Sequence, residues 1–448
     1  MGWQETYKER CVSAEEALSH IKDGEMLVPA HNSAEPKYLF QKLCEMKDNW
    51  NQLGILQGLN IGDAPYAQDD MYPTFIDWSF FPGSKNRNYV NTGRGQMIPM
   101  HFYAQPKAMR EGNVPVDVGF LQVTPPDEDG YVWMGTSCDQ VRVILDKARI
   151  NIAQVNSNLP HVMGETKIPV EDIDYYVEYD EPIYEMAKIP EGDEVAMKIG
   201  KNIAGLIEDG ACLQMGQGKI PNAILPYLED KKDLGIHTEV FSDNLLPLIE
   251  KGVITCARKN IDTGKIVATF VQGSPEFYKY VDYNPFVKLM PVEYTNAVRT
   301  IAQIDNMVAI NSAIEVDAMG QVVADSIGPK MFSGVGGQQD FIRGAEESNG
   351  GKAIIALPST TKHDTISKIV GVLKPGTPVT TTRNDVHYVV TEYGVADLFG
   401  KSLDQRCKAL VEIAHPKFRE QIERDYYEYR KAAGQIYFWH IGPFDPEE

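Results

Sequence analysis

The stretch IEDGACLQMGQGKIPNAILPYL, residues 207–228, contains the pattern that decides the fold. It ends a helical segment at Gly210, continues as a short apolar strand, passes through a glycine-rich loop and enters a second helical segment. The stretch IKDGEMLVPAHNSAEPKYLFQKL, residues 21–43, follows the same order 186 positions earlier (207 − 21). Short apolar strands separated by helical segments are typical of α/β units with buried, mostly parallel strands.

Two further pairs of segments repeat in the same order along the chain. Residues 116–135 and 309–328 each combine an apolar strand, an Asp-x-x-Gly turn and a second apolar strand, at an offset of 190 (317 − 127). Residues 148–156 and 351–359 match at an offset of 203 (353 − 150). Because α/β chains in general alternate helix, glycine turn and strand, a shared pattern without duplication is the alternative. Three matches in one order favour an internal duplication.

The duplication predicts two tandem open α/β domains of related topology, residues 1–188 and 189–448, with the Pro- and Gly-containing segment 188–194 as their linker. A chain of 448 residues is also too long for one ordinary core. Ligands of open α/β sheets bind beyond the carboxyl ends of the strands. We therefore expect the functional site to lie between the two halves.

The composition excludes several classes of protein. A net charge of −20 disfavours nucleic-acid binding, because a phosphate backbone attracts basic surfaces. The six cysteines are scattered without a C-x-x-C pair, which favours reduced thiols and argues against a metal site. No apolar run approaches the roughly 18 residues of a membrane-spanning helix. The opening residues lack the apolar core of a secretory signal, so we expect a cytoplasmic protein that binds no membrane.

Two glycine-rich loops are candidate anion sites. The loop 214–218 lies between an apolar strand and a helical segment, where backbone N–H groups can cradle an anion. A tight strand-to-helix turn is the alternative. The loop 333–338 has three glycines in four positions, so its backbone can approach a ligand and offer N–H groups to an oxyanion. A surface loop is the alternative there.

Polar residues follow an apolar strand in LGIHTEVFSDN, residues 234–244. Glu239 is the candidate for chemistry, whereas a lone histidine such as His237 is more often structural. Lys362 follows a strand and a Ser-Thr-Thr loop, where its ammonium group could meet a phosphate or stay in solvent. The aromatic tract 424–440 suits either base stacking or a docked terminal helix, and the acidic chain favours the helix.

Taken together, these segments resemble the acetyl-CoA hydrolase/transferase family, and most closely its 4-hydroxybutyrate CoA-transferases and butyryl-CoA:acetate CoA-transferases. The resemblance covers nearly the whole chain. The segments that carry it are SAEEALSHIKDGEMLVPAH (13–31), DGACLQMGQGKIPNAIL (209–225), LGIHTEVFSDN (234–244), FSGVGGQQDFIRGA (332–345), VVTEYGVADLFGKS (389–402) and IAHPKF (413–418). The family fold is two open α/β domains of related topology, which agrees with the repeat.

The resemblance also implies a set of site residues. Glu239 matches the family nucleophile, Gly337 lies in the loop expected to offer an N–H group to an oxyanion, and Asn296 matches an asparagine near the carboxylate pocket. The positions that match CoA-contacting residues are Gln214, Met215, Gly216, Gln217, Gly218, Gly336 and Lys362. The family usually has an apolar residue, often isoleucine, where this chain has Gln217.

The implied activity is transfer of CoA from a short-chain acyl-CoA, of the 4-hydroxybutyryl or butyryl type, to a free carboxylate such as acetate. It would run through a glutamyl-CoA thioester on Glu239. Acyl-CoA and short-chain acids are then substrates, no metal or permanently bound cofactor is required, and a homo-oligomer, dimer or tetramer, is expected. The alternatives are an acyl-CoA hydrolase, a transferase for propionate, succinate or itaconate, and a noncatalytic CoA-binding protein. The last predicts a replaced nucleophile, whereas Glu239 is present in its full motif.

Overall fold

The computed structural model describes residues 2–186, 192–361 and 363–434. The predicted domain boundary between residues 188 and 189 and most of the predicted linker lie outside the described residues, as does Lys362. The boundary and the role of Lys362 therefore stay predictions.

The first half of the chain forms a parallel sheet. Its strands are β1 (Met26–Pro29), β2 (Leu53–Gln57), β3 (Phe75–Ser79), β4 (Gly95–Met97), β5 (Val118–Val123), β6 (Tyr131–Trp133), β7 (Ile150–Val155), β8 (Lys167–Pro169) and β9 (Tyr175–Glu178). Seven of them pair in the order β4-β3-β2-β1-β5-β7-β9, with every neighbouring pair parallel. Strands β6 and β8 form a separate antiparallel pair. Strands β5 and β7 are buried along their whole length, as expected for a central parallel sheet.

The second half forms a sheet of the same kind with small sheets around it. The strands are β10 (Cys212–Met215), β11 (Gly235–Ile236), β12 (Val240–Phe241), β13 (Ile266–Ala268), β14 (Phe270–Val271), β15 (Val287–Leu289), β16 (Met307–Ser312), β17 (Glu315–Asp317), β18 (Val322–Val323), β19 (Ser326–Ile327), β20 (Lys330–Met331), β21 (Lys352–Ala356), β22 (Thr360–Thr361), β23 (Ile366–Ser367), β24 (Ile369–Val370), β25 (Tyr388–Thr391) and β26 (Gly394–Asp397). The main sheet has the order β11-β10-β16-β21-β25-β26. It is parallel except for the last pair.

Helices connect and cover these strands. They are α1 (Trp3–Arg10), α2 (Ala14–Ser19), α3 (Lys37–Glu45), α4 (Arg87–Asn91), α5 (Gln105–Arg110), α6 (Val141–Lys147), α7 (Glu194–Ala204), α8 (Lys219–Ile224), α9 (Leu246–Glu250), α10 (Pro275–Val281), α11 (Val292–Thr295), α12 (Val298–Ile301), α13 (Gln338–Glu347), α14 (Leu403–Ile413) and α15 (Arg419–Ala432). Within the described ranges no helix is long and apolar enough to cross a membrane.

The two sheets repeat one topology. Strand β1 lies between β2 and β5, with β7 beyond β5, and strand β10 lies between β11 and β16, with β21 beyond β16. The bounds of β10 are those of β1 moved by 186 positions, which is the offset of the first sequence repeat. The prediction of an α/β fold with parallel sheets is confirmed.

The second repeat corresponds to two turns with the same hydrogen bonds. Asp127 Oδ1 accepts from the backbone N–H groups of residues 129 and 131, at 3.0 and 2.9 Å. Asp317 Oδ1 accepts in the same way from residues 319 and 321, at 3.0 and 2.9 Å. Each turn also contains a glycine at positive φ, a conformation that a side chain disfavours. Each Asp-x-x-Gly motif therefore closes a local turn.

The halves are fixed against each other by a shared apolar core. Val28 and Leu121 from the first sheet belong to the same buried cluster as Leu213 and Phe241 from the second half. Side chains at the facing strand ends are therefore held in place by packing from both halves.

The C-terminal helix α15 docks through part of its aromatic face. Ile422 and Tyr426 are buried, and the Tyr426 hydroxyl donates to Asp404 Oδ1 at 2.8 Å. Tyr429 remains exposed. The rest of the aromatic tract, from residue 435, lies outside the described residues. The described part of the tract agrees with a docked helix.

Candidate active site

A cavity of about 360 Å³ lies between the two halves. Its walls are formed by His31, Asn32, Gly58, Leu59, Phe81, Phe102, Gln105 and Asp139 from the first half and by Gly216, Gln217, Glu239, Val240, Phe270, Gln272 and Gly336 from the second. Several of these residues closely follow the carboxyl ends of β1, β2, β3, β10 and β11. The cavity therefore lies at the edge of both sheets where ligands of open α/β folds bind.

Backbone hydrogen bonds fix Glu239 between β11 and β12. The N–H of His237 donates to the carbonyl of Leu213 at 3.1 Å, and the N–H of Thr238 donates to the carbonyl of Val267 at 3.0 Å. The carbonyl of Glu239 accepts from the N–H groups of residues 269 and 270, at 2.9 and 3.0 Å. These bonds hold the backbone of the segment while the Glu239 side chain lines the cavity.

The Glu239 carboxylate is half-buried and has two donors. The Asn296 side-chain amide donates to Glu239 Oε1 at 2.9 Å, and the Gly337 backbone N–H donates to the same carboxylate. Burial raises the pKa of Glu239 to about 7, and the two donors limit the rise. Burial removes part of the water that solvates a surface glutamate, so the charged form of Glu239 is less favoured.

A buried carboxyl group, that of Asp340, shares the amide of Asn296 with Glu239. Asp340, in the first turn of α13, has Oδ2 at 3.3 Å from Asn296 Nδ2 and at 3.2 Å from the backbone nitrogen of Tyr103. Burial, together with the nearby charge of Glu239, raises the pKa of Asp340 to about 8. The pKa of each carboxyl group is therefore raised, and the two titrations are coupled.

His237 is buried beneath the site and has a structural role there. Its Nε2 lies 2.8 Å from the carbonyl of Thr295, so Nε2 carries the hydrogen and donates. Burial lowers the pKa of His237 to about 3, which makes the ring neutral. The bond anchors the residue before Asn296 and so helps to place the amide that binds Glu239.

The predicted CoA loop is divided between the sheet and the cavity. Gln214 and Met215 end β10, and Gln214 Oε1 accepts from Asn311 Nδ2 at 3.1 Å, so its side chain is bound within the sheet. Gly216 and Gln217 line the cavity. Gly218 precedes α8 at a φ of +146°, a conformation that favours glycine. The predicted contacts of all five residues with CoA stay predictions.

The second glycine loop closes against the first half of the chain. A Cβ atom on Gly334 would lie 2.1 Å from the Phe80 carbonyl oxygen, and the Gly336 carbonyl accepts from the Phe102 N–H at 3.1 Å. A Cβ atom on Gly337 would lie 1.7 Å from Glu239 Oε1. Glycine at these positions therefore lets the loop approach both the other half and the carboxylate.

Three residues of the site were not predicted from the sequence: His31, Asp139 and Asp340. The repeat carried a usable signal for the first, since moving His31 by 186 positions reaches Gln217, and both residues line the cavity. Asp340 looked like an ordinary acid in a first helical turn. Among the described residues no group of three or more His, Cys, Asp or Glu side chains could hold a metal ion.

The sequence of this chain matches the models of a known enzyme family. Residues 1–187 match the family model of the acetyl-CoA hydrolase/transferase N-terminal domain, and residues 273–426 match that of the C-terminal domain. The chain belongs to the acetyl-CoA hydrolase/transferase family, and the prediction of an enzyme of the CoA-transferase class is confirmed.

Three transferases whose names give different substrates are similar to this protein along most of the chain. The 4-hydroxybutyrate coenzyme A transferase of Clostridium kluyveri is 46% identical over 426 residues, which cover 95% of this chain and 99% of the relative. The succinyl-CoA:acetate/propanoyl-CoA:succinate CoA transferase of Fasciola hepatica is 41% identical, covering 92% and 86%. The butyryl-CoA:acetate CoA-transferase of Anaerostipes caccae is 36% identical, covering 95% and 97%.

A solved structure has the same fold over nearly the whole chain. The 4-hydroxybutyrate CoA-transferase of Porphyromonas gingivalis superposes with a TM-score of 0.82 at 38% identity, covering 95% of this chain and 100% of that one. An acetyl-CoA hydrolase of Schizosaccharomyces pombe is a more distant relative, 26% identical over 76% of this chain and 72% of its own.

Proposed function

We propose that the protein transfers CoA from a short-chain acyl-CoA, of the 4-hydroxybutyryl or butyryl type, to a free carboxylate such as acetate. Glu239 is the nucleophile of this reaction. The observation that carries the proposal is the half-buried Glu239 carboxylate, bound by Asn296 and Gly337, at the wall of the cavity between the halves. The names of the similar proteins support the same acyl groups.

The reaction begins with attack of the Glu239 carboxylate on the acyl carbon of the thioester. The C–S bond breaks, and a mixed anhydride and the CoA thiolate form. The thiolate then attacks the side-chain carbonyl carbon of Glu239, which releases the donor acid as a carboxylate and leaves a glutamyl-CoA thioester. The acceptor carboxylate attacks that thioester, and the same steps in reverse give the new acyl-CoA and free Glu239.

The two donors on Glu239 fit the second step. When the thiolate adds to the carbonyl carbon of Glu239, negative charge develops on the carboxyl group that Asn296 and the Gly337 N–H already bind in the resting state. Donors placed in advance stabilise such an oxyanion without reorganising. Removal of one such donor typically lowers kcat by about 10²–10³-fold.

Apolar side chains around the cavity favour transfer over hydrolysis. Phe81, Phe102, Val240 and Phe270 line the space next to Glu239. Once acyl-CoA fills the cavity, these side chains keep water from the anhydride and from the thioester. Hydrolysis remains the competing outcome, and it would release free CoA without any acceptor acid.

Trapping of the glutamyl thioester tests the proposal. The protein is incubated with butyryl-CoA without acceptor and treated with borohydride, which reduces a thioester to an alcohol. We expect inactivation only after butyryl-CoA is added, with a mass change on the peptide that carries Glu239. Acetate added before the borohydride should protect by converting the thioester to acetyl-CoA.

Three outcomes would contradict the proposal. A mass change on another residue would exclude Glu239 as the nucleophile. Inactivation without acyl-CoA would show that borohydride acts elsewhere. Steady release of CoA without an acceptor, at the rate seen with acetate, would identify a hydrolase instead. Glu239→Gln, which keeps the shape of the side chain, is the matched control and should show no acyl-CoA-dependent labelling.

A further inference from the structure

His31 is a buried histidine that the steps above do not use. It follows β1 and lines the same cavity as Glu239. Its Nδ1 lies 3.0 Å from Asp139 Oδ2, and both side chains are 2% exposed. Its Nε2 is buried and has no hydrogen-bond partner in the part of the chain that the structure describes.

The orientation of the His31 ring is fixed on two sides. Because a carboxylate can only accept, Asp139 holds the hydrogen of the imidazole at Nδ1. On the other side the ring lies against Gly58, where an added Cβ atom would be 2.7 Å from Nδ1 and 2.8 Å from Cε1. Burial of a polar atom without a partner is unfavourable, so a free Nε2 at this position indicates a partner supplied by a ligand.

The acyl chain of the substrate must share the cavity with His31. The acyl carbon has to reach the Glu239 carboxylate, and the chain beyond it then occupies the space between the walls. Apolar side chains make up much of those walls. The buried wall atoms that lack a partner among the described residues are His31 Nε2, Asn32 Nδ2 and Gln217 Nε2. A polar group on the acyl chain would be bound best at these atoms, and the histidine nitrogen is the acceptor among them.

We propose that His31 is the specificity-determining residue that selects acids with a hydroxyl group near the distal end of a short chain. This inference rests on the proposed CoA-transferase function. A hydroxyl group satisfies Nε2 whether the ring is neutral or protonated, because a hydroxyl both donates and accepts. An acyl chain that ends in a methyl group leaves His31 Nε2 without a partner. A chain that ends in a second carboxylate can only accept, so it would need a hydrogen on Nε2.

Gln217 supports the same assignment from the other half. It is the counterpart of His31 in the repeat, at an offset of 186 (217 − 31), and its Nε2 is likewise buried without a partner in the described residues. Two polar groups at equivalent strand ends thus face one cavity. A hydroxyl group can donate to an imidazole nitrogen and accept from an amide, whereas an unsubstituted chain can do neither.

The test compares 4-hydroxybutyrate with butyrate as acceptors from acetyl-CoA, by kcat/KM, in the wild-type protein and two variants. His31→Asn keeps a nitrogen near the position of Nδ1 for Asp139 but has no atom at Nε2. His31→Gln reaches the position of Nε2 instead. We expect the wild type to prefer 4-hydroxybutyrate, His31→Asn to lose that preference by about tenfold or more, and His31→Gln to keep part of it.

Gly58→Ala gives a second test that retains the imidazole. The added methyl group would push the ring away from its place, and we expect the preference for 4-hydroxybutyrate to fall while the thermal unfolding temperature shows a folded protein. Circular dichroism and thermal unfolding of every variant show whether loss of activity reflects loss of the fold.

The outcomes separate this inference from the proposed function. Transfer to both acids with no preference in the wild type, or an unchanged preference in His31→Asn, would overturn the role of His31 and leave the transferase proposal standing. An equal fall in kcat/KM for both acids in His31→Asn would also overturn this role. It would indicate that His31 contacts the CoA part of the substrate. A His31-dependent preference for succinate would replace it with a protonated ring that binds dicarboxylates. No transfer to any acid by the wild type would contradict the proposed function itself.

Discussion

The Asn296 side-chain amide donates a hydrogen bond of 2.9 Å to Glu239. The same nitrogen lies 3.3 Å from Asp340, so one amide links the half-buried Glu239 carboxylate to a buried carboxyl group. Asn296 itself is fully buried, and its position is set by α11 and by the bond of the preceding carbonyl to His237. The amide therefore orients the proposed nucleophile and bonds to both carboxyl groups.

Replacing Asn296 by alanine should reduce transfer without abolishing it. We expect kcat to fall by about 10²–10³-fold, because one of the two donors to Glu239 is lost while Gly337 remains. KM for acyl-CoA should change much less. Asn284→Ala, which removes an amide bonded to Tyr280 away from the cavity, is the control and should keep wild-type activity. Equal effects of the two changes would indicate general damage to the fold.

A methyl group at position 337 should disrupt the site directly. In Gly337→Ala the new Cβ atom would lie 1.7 Å from Glu239 Oε1 and 2.1 Å from Asn296 Nδ2, so the carboxylate, the amide or the loop must move. We expect kcat/KM to fall by about 10²-fold or more, since a small displacement of reacting groups can cost that much. Gly205→Ala is the matched control, because its Cβ atom would meet nothing nearer than 3.4 Å. Activity within about threefold of wild type in Gly337→Ala would contradict the close approach of the loop.

The sequence predicted the parts of this structure that depend on local patterns. Strand β10 and the loop after it could be recognised because the same order of elements occurs at β1, and the Asp-x-x-Gly motifs close equivalent turns at Asp127 and Asp317. The tip of β11 with Glu239 was recognisable from polar residues after an apolar strand. The roles of the predicted site residues stay predictions.

The relationships that the sequence did not reveal are long-range. The loop before α13, which leads to Asp340, packs against Phe80 of the other half, and no local pattern encodes that contact. His31 and Asp139 are 108 positions apart and meet at the ends of different strands. The spacing of residues in the sequence predicts which helix, strand or loop carries a side chain. The residue that this side chain contacts depends on the packing of the whole fold.

Transfer should increase with pH through the titration of Glu239. Its pKa is raised to about 7, and only the ionised carboxylate attacks a thioester, so kcat/KM should rise as pH increases from about 6 to 8 and then level off. The profile is measured with acetate and butyryl-CoA, because the acceptor acid is ionised throughout this range. A profile that is flat down to about pH 5 would mean that Glu239 in the free protein titrates like an exposed glutamate.

The stability of the folded protein should decrease as pH rises because Asp340 ionises. The change Asp340→Asn should make this decrease smaller. The pKa of Asp340 in the folded protein is about 8, above the value of about 3.9 for an unfolded chain. A carboxyl group whose pKa is raised by folding contributes stability that is fully present below the unfolded value and is lost as pH rises through the folded value. Asparagine resembles the protonated carboxyl group and does not ionise.

Thermal unfolding at pH 5, where most of this stability is still present, and at pH 9, above the folded pKa, measures the effect of Asp340. We expect the unfolding temperature of Asp340→Asn, relative to wild type, to be higher by about 2 °C or more at pH 9 than at pH 5. Asp146→Asn, at an exposed position of α6, is the control, and its difference from wild type should stay the same at both pH values. If the difference between Asp340→Asn and wild type does not grow with pH, Asp340 is ionised already at pH 5. In that case burial beside Glu239 does not raise the pKa of Asp340.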